Sequence, residues 1–483
     1  MSLVIGIDVG TQSSKGVLVE AGRGVVATAS APHRVSFPSP NWAQQDPVDW
    51  TNAVASVIGS LVAEAGSAAS GITHLAVDAQ VDGVVAVDAE LRPLSEAIIW
   101  MDRRAVEQTK RIEAAVGVDR LFEITGLNCD SSHSAPKMAW LLERSQPRWL
   151  LPPVAMITSW LTGEVGQDHA NASSSMLWDV TKREWADHLL EAAMIDSKLL
   201  PPVAEALDVL GAVRPALTDE LGLPVGCRVL VGTGDDHAAA VGAGAVGPGV
   251  VADVTGTAEP IGGPADRPVF DLVDRLVETH AHAVPGMWFI ENPGFVSGGS
   301  VLWCADLLGV SQAEVFALAE TAEPGCKGLV FVPALSGSMA PRWIDLARGS
   351  FTGASMDHGR AEWCRAVLEG CAFALRDVVD RMAEMGLSTG DVRVTGGGAR
   401  SPLWMRIKAD TLGRAMRPVL GEGTATGAAC LAAVTAGWYP DLFAATDQLV
   451  ELGEPVEATP ANELEDAYHR YRRIFDALEP TYL

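Results

Sequence analysis

Apolar and polar positions change period repeatedly along this chain. β-branched runs of strand length alternate with stretches in which apolar residues recur at i, i+3 and i+4. VIGIDVGTQSSKGVLVE (residues 4–20) runs from β-branched residues into Asp8, turns at Gly10-Thr11 and returns to apolar residues, the pattern of a hairpin. GVVADVTGTAEPIGG (residues 249–263) repeats that pattern near mid-chain. The recurrence predicts two related domains, 1–245 and 246–483, meeting at GAGAVGPG. Between the hairpins, DPVDWTNAVASVIGSLVAEAG (46–66) has helical spacing, and ITHLAVDA (72–79) and VVAVDAELRPL (84–94) predict strands joined by a turn. CRVLVGTGDD (227–236) predicts a buried strand ending in a Gly-Asp turn. In the second half, RAEWCRAVLEGCAFALRDVVDRMAEMG (360–386) predicts a long helix closed by Gly386. DVRVTGGGARSPLWMRIKADTLG (391–413) predicts a strand, a glycine turn and a helix with Ser401 as N-cap and Pro402 at its first position. The alternation is α/β.

Composition narrows the functions. The 483 residues include 61 acidic and 35 basic ones, a formal charge of −26. A net acidic surface repels phosphate backbones, so nucleic acid is not an expected partner. An anionic substrate would need local donors or a metal ion to hold it. The N-terminus has no basic flank, and Asp8 breaks its first apolar run, so no secretory signal is expected. AAAVGAGAVGPGVVA (238–252) is too short and too rich in Gly to span a bilayer, and no membrane association is expected. Seven scattered cysteines without a CxxC pair predict reduced thiols and a cytoplasmic location. HAH (280–282) would put two imidazoles on one strand face, but no Cys or carboxylate spacing completes a metal set, so ordinary surface or core histidines are expected.

Three polar turns end apolar strands, where α/β sheets place ligands. They are Asp8 with Gly10-Thr11, GTGDDHAAA (232–240) and TGGGARSP (395–402). Glycine there lets peptide N–H groups approach phosphate or ribose. Of the two prominent carboxylates, Asp8 and Asp235, one suits a Mg²⁺ ion and the other a proton-accepting role. No GxxxxGK[ST] loop is present, and GGGARS has Ser401 where a dinucleotide fingerprint needs its last glycine. Mg·ATP between two domains led by Gly-Thr hairpins is the remaining arrangement.

In these motifs, and in their order, the chain resembles the FGGY carbohydrate kinases of the sugar kinase/actin-like superfamily. GIDVGTQSSKGVL is similar to the family's first phosphate motif. WAQQDPVDW (42–50) resembles a xylulokinase stretch, and IIWMDRRA (98–105) a W-x-D-x-R-A segment. SAPKMAWLLER (134–144) is similar to the first family signature except at Arg144. GTGDDHAAAVGAG resembles the segment that carries the catalytic aspartate. DVTGTAEPIG resembles the second phosphate motif, VTGGGARSPLWMRIKAD the adenosine motif, and EGTATGAACLA (422–432) the helix that follows it.

The resemblance implies two actin-like (ribonuclease H-like) domains with a cleft between them. It also implies ATP-dependent phosphorylation of a primary hydroxyl of a sugar, foremost a pentulose such as D-xylulose. Ribulose and erythritol-like polyols are the alternatives, and an actin-like ATPase without a sugar is the reading from another class. Asp8 then positions Mg²⁺. Thr11, Ser13, Ser14, Lys15, Thr257, Gly298, Gly397 and Gly398 bind ATP. Asp235 is the general base, with its neighbour Asp236 expected to matter less. Val81, Asp82, Asp102 and Asp235 hold the sugar. Partners are the small-molecule sugar and ATP, with a homodimer as the candidate assembly. Departures fall on the sugar side. Xylulokinases carry Met-His where this chain has Val81-Asp82, and Gly-Glu-Arg-Thr-Pro where it has GSMAP (337–341). Ala354 also replaces a large aliphatic residue of the second signature.

Overall fold

The structure, a computed structural model, describes residues 2–482. Two mixed sheets form its frame. The first contains β1 (Leu3–Val9), β2 (Ser13–Glu20), β3 (Gly24–Pro32), β4 (Ile72–Ala79), β5 (Val209–Ala212) and β6 (Arg228–Leu230), in the lateral order β5-β6-β4-β1-β2-β3. The second contains β7 (Val250–Thr255), β8 (Ala258–Ala265), β9 (Glu278–Ala281), β10 (Trp288–Val296), β11 (Asp391–Gly396) and β12 (Met416–Pro418), in the order β9-β10-β8-β7-β11-β12. Five strands correspond one to one. Each sheet has an antiparallel hairpin, β1–β2 or β7–β8. A third antiparallel strand, β3 or β10, lies outside the hairpin. A parallel strand, β4 or β11, lies on its other side, followed by a second parallel strand. The hairpin repeat read along the chain is therefore a repeat of topology, and the frame is two actin-like α/β units.

Strand β1 is apolar on both faces because both are covered. Leu3, Ile5, Ile7 and Val9 point to one side, against Trp50, Val54, Val57 and Ile58 of α1 (Pro47–Ala65). Helix α1 and its 3-10 extension to Gly71 are long and apolar enough to cross a bilayer, but Trp50, Val54, Val57, Ile58 and Leu61 form a buried stripe on the sheet. Asp46 caps its N-terminus by accepting from the Val48 N–H, and Pro47 occupies its first position. Val4, with Val17, Val19 and Ala76, packs on the other side against a helix from the far end of the chain.

That helix, named below as α7, is one of a pair exchanged between the units. Helices α2 (Ser134–Leu142), α3 (Asp235–Gly242), α4 (Gly298–Leu308), α5 (Arg360–Glu384), α6 (Pro402–Leu412) and α7 (Gly423–Thr435) complete the elements needed here. Helix α3 precedes the second sheet in sequence, yet its Ala240 packs with Ala252 of β7 and Phe289 of β10. Helix α7 follows the second sheet, yet its Ala425, Ala428, Ala429 and Ala432 cover the first. The two helices cross with almost no side chain between them. A Cβ added to Gly427 would overlap the Ala238 carbonyl oxygen, and one on Gly242 the Gly423 carbonyl oxygen. A Cβ on Gly6 of β1 would likewise overlap the Ala425 carbonyl oxygen of α7.

Most predicted elements form within a residue or two of their expected bounds. Ser401 caps α6 through the Trp404 N–H with Pro402 at its first position, and Gly386, in a left-handed conformation, follows α5. The exception is 84–94. Its one regular strand, Val85–Val87, pairs with Trp149–Leu151 in a separate small sheet instead of turning back on β4, with isolated bridges at Val84 and Pro93. The cause is Asp82, whose φ of 58° turns the chain out of the main sheet directly after β4. All seven cysteines are free thiols.

The crossing generates a prediction. Gly427→Ala is expected to destabilise the protein by about 1–3 kcal/mol or more, because backbone on both sides cannot yield. Gly59→Ala, in the exposed middle of α1 with open space around its Cβ position, is expected to stabilise by about 0.5–1 kcal/mol. Urea unfolding of the two variants checks both signs; equal effects would refute the close crossing.

Candidate active site

The ends of β1 and β4 and the start of α3 bring three carboxylates together. Asp8 and Asp78 are partners in the parallel β1–β4 register. Asp235 opens α3 after a short Thr233–Gly234 segment that pairs with Asp78–Ala79. Burial first, and the Asp235 charge second, push the Asp8 carboxyl up to about 7, while Lys15 pulls it down. Asp78 is raised further, by burial and then by Asp8 and Asp235. Neither Asp78 oxygen has a hydrogen-bond partner. Burial holds Asp235 at about 6, against the lowering effect of N–H groups from Val81 and Asp236. Its Oδ1 accepts from the Val81 N–H at 3.3 Å and the Asp236 N–H at 3.1 Å. An all-oxygen set of anionic groups without a paired cation is chemically suited to a divalent oxophilic ion such as Mg²⁺. Asp78 is not among the residues that sequence reasoning selected; it sits inside an ordinary strand pattern, and its role comes from register with Asp8.

The first turn is tied to the wall beside it. The Trp100 indole donates to Thr11 Oγ1 at 3.0 Å and the Gln45 amide donates to the Thr11 carbonyl at 2.9 Å. Gln80 in turn donates to Gln45 at 2.7 Å. Ser13 is half-buried at the mouth of β2, and Ser14 is buried with an unpartnered hydroxyl. Lys15 reaches Glu422, just before α7, at 2.8 Å. On the opposite lip the second hairpin turn is docked on α4. The Gly298 N–H donates to Gly256 O and the Gly299 N–H to Thr257 O, each at 3.0 Å. The Gly298 N–H is thus engaged within the fold, while the Thr257 residue stays exposed. Gly396 and Gly397 are exposed in the third turn, and Gly398 is buried where a Cβ would overlap Thr255.

On the substrate side, Val81 acts through its backbone on Asp235. Asp82 follows the end of β4 at Ala79, and its Oδ2 faces His133 Nδ1 at 3.4 Å. His133 Nε2 faces Glu278 of β9 at 3.5 Å. Burial alone would depress this imidazole, but Asp82 and Glu278 outweigh it and hold His133 well above the usual histidine range. A charged His133 therefore links the two halves. Lys137 of α2, fully buried, donates to the Asp82 carbonyl at 2.8 Å, and burial lowers it to about 7. The structure gives Asp102 a different task from the one expected. It is fully buried, and its oxygens accept from Ala43 N at 2.6 Å and from Arg104 N and Nε at 2.8 Å. Arg104 lies 3.8 Å over the Trp42 ring, so Asp102 fastens the 42–50 and 98–105 segments to each other. Asp236 stands next to Asp235 on α3. Burial, then Asp235 and Asp82, raise it well above the carboxylate range.

The second unit shows what the same strand position does when it is neutralised. Asp253 of β7 corresponds to Asp8 of β1. Lys408, fully buried on α6, pairs with Asp253 Oδ2 and Glu259 Oε1, each at 2.8 Å. Burial would lower this ammonium, but the two carboxylates dominate and raise it. The Thr255 hydroxyl donates to Asp253 Oδ1 at 2.8 Å and completes the set.

Comparison with known proteins agrees with this division. Residues 3–242 match the model of the FGGY family of carbohydrate kinases, N-terminal domain, and residues 254–436 match its C-terminal domain. The chain is 30% identical to the xylulose kinase of Lactococcus lactis over 94% of this chain and 92% of that protein. It is 32% identical to the glycerol kinase of Methylibium petroleiphilum over 93% of each. The crystal structure of xylulose kinase from Rhodospirillum rubrum superposes with a TM-score of 0.90 at 29% identity, covering 99% of both chains.

The contrast between the units predicts opposite outcomes for two lysines. Lys408→Met leaves Asp253 and Glu259 buried without their cation and is expected to destabilise by about 3–5 kcal/mol. Lys15→Met removes a half-exposed pair and is expected to change stability by less than about 1 kcal/mol. Denaturant melts at neutral pH separate the two; a mild Lys408→Met would mean the carboxylates are satisfied in some other way.

Proposed function

The chain belongs to the FGGY family of carbohydrate kinases and is an ATP-dependent kinase of sugars or polyols; from that premise we propose that its substrate is a pentulose such as D-xylulose, phosphorylated on a primary hydroxyl. The observation that carries the reading is Asp235. It stands at the first turn of α3 with one oxygen held by two peptide N–H groups. The other oxygen is free to face a hydroxyl. A carboxylate raised by burial is a better proton acceptor near neutral pH than an ordinary one. Asp235 takes the proton from the attacking hydroxyl as the bond to phosphorus forms, and phosphoryl transfer otherwise rests on alignment and charge neutralisation. Asp8 and Asp78 would hold Mg²⁺, which supplies neutralisation of the phosphate charge when bound with ATP. The first hairpin turn, with Ser13, Ser14 and Lys15, and the opposite lip, with Thr257, Gly397 and Gly398, are the groups available to the nucleotide.

The wall beyond Asp235 supports a neutral, polyhydroxylated substrate. Asp82 offers an acceptor there, which hydroxyl donors satisfy and which would oppose a sugar acid, with the Asp236 carboxyl beside it. Asp82 is held by His133, so it is oriented before a substrate arrives. A polyol is the second reading. It is favoured by Val81-Asp82 in place of the Met-His of xylulokinases, by the polyol-kinase-like Asp82-Gly83 pair, and by glycerol kinases among the relatives at similar identity.

Two measurements test this. Asp235→Asn is expected to lose about 10²–10⁴-fold in kcat while its affinity for an ATP analogue stays within a few-fold; near-wild-type turnover would remove Asp235 from the base role. A coupled ADP-release assay across ketoses, polyols and sugar acids is expected to give its largest kcat/KM with a pentulose and its smallest with the acids. A polyol leading the series would install the second reading, and a leading sugar acid would overturn both.

A further inference from the structure

Behind the carboxylates of the cleft lies a group of histidines that phosphoryl transfer does not use. His237 follows Asp236 on α3, His280 lies on β9 and Glu291 on β10. All three side chains are buried. One ligand atom from each lies within 4.8 Å of the others. His280 Nε2 and Glu291 Oε1 are 3.3 Å apart. His237 Nε2, His280 Nε2 and Glu291 Oε2 have no hydrogen-bond partner, although buried polar atoms ordinarily find one.

The surrounding hydrogen bonds fix which imidazole nitrogens carry protons. His282 Nε2 is 3.1 Å from the Ala245 carbonyl, which can only accept, so Nε2 is protonated and Nδ1 carries the lone pair. His237 Nδ1 is 3.4 Å from that His282 Nδ1, so the His237 proton sits on Nδ1 and its Nε2 is a bare donor. His280 follows the same logic. With the Ser174 hydroxyl donating to Ala170 O at 3.3 Å, its oxygen can accept from His280 Nδ1, also at 3.3 Å. His280 Nε2 is then bare as well. In this arrangement two imidazole nitrogens and a carboxylate oxygen lie within 4.8 Å of one another, each imidazole with an outer hydrogen-bond partner, as in protein metal centres. A proton shared between Glu291 and His280 would satisfy that pair but leave His237 Nε2 bare. Asp82 and Glu278 act as negative charges on His280.

We propose that His237, His280 and Glu291 bind a zinc-class divalent metal ion, distinct from the all-oxygen site at Asp8 and Asp78. A two-nitrogen, one-oxygen set suits such an ion, and three protein donors leave a fourth tetrahedral position for water or a substrate hydroxyl. The ion ties α3, which carries Asp235 and Asp236, to β9 and β10 of the second sheet. The inference does not depend on the identity of the sugar or on the phosphoryl-transfer reading.

The test uses the full chain stripped with chelator and dialysed. Calorimetric titration with Zn²⁺ in the presence of excess Mg²⁺ is expected to show one tight site per chain and a rise in the unfolding temperature. Co²⁺ is expected to give the strong visible absorption of a four-coordinate ion. His237→Gln and His280→Gln are each expected to weaken Zn²⁺ binding by more than the 10–100-fold typical of an outer-shell change. Glu291→Gln, which preserves shape, is expected to do the same with an unchanged circular dichroism spectrum. No Zn²⁺ binding to the stripped wild type, or binding that survives all three substitutions, would overturn the proposal.

Discussion

The approach of α3 and α7 sets the geometry of everything at the cleft. Two helices can lie this close only where glycine removes the side chain, and Gly242 of α3 and Gly427 of α7 do so, one on each side of the crossing. Because each helix covers the other unit's sheet, the crossing fixes the separation of the sheets. It also places Asp235, at the start of α3, beside the ends of β1 and β4. Glu422, directly before α7, meets Lys15 at the first hairpin turn for the same reason. A side chain at the crossing would move Asp235 and Glu422 together.

The two units reuse one topology for opposite electrostatic ends. In the second, a buried lysine neutralises the carboxylate after the hairpin strand, and the result is a structural bolt. In the first, no lysine among the described residues pairs with Asp8 or Asp78, and burial, with the neighbouring carboxylates behind it, raises their carboxyls. An acid pool without its own cation is a standing demand for an external one. One residue on α6 thus separates a site that stabilises the fold from one that waits for a ligand.

Much of this is legible along the chain, and the remainder is not for identifiable reasons. Asp8 and Asp235 announce themselves because each sits where an apolar strand meets glycine, a local pattern. Asp78 has no such marker; it matters because parallel register sets it beside Asp8. Asp102 resembles a binding residue in its motif, but its carboxylate is engaged by Ala43 and Arg104, partners that only the folded chain reveals. The histidines of HAH look incomplete as metal ligands when spacing is counted. Glu291 comes from the next antiparallel strand and His237 from a helix more than forty residues away, so space supplies what spacing lacks.

The exchange of helices also bears on how the protein is made. The first hairpin is translated before α7, yet the face of β1 and β2 that carries Val4, Val17 and Val19 is covered chiefly by α7. During synthesis that apolar surface stays bare until Thr435 has left the ribosome. The leading half therefore emerges as a sheet with one finished face and one sticky one. Its final consolidation is a late, long-range event, and a chain interrupted before α7 leaves an aggregation-prone fragment in place of a self-sufficient domain.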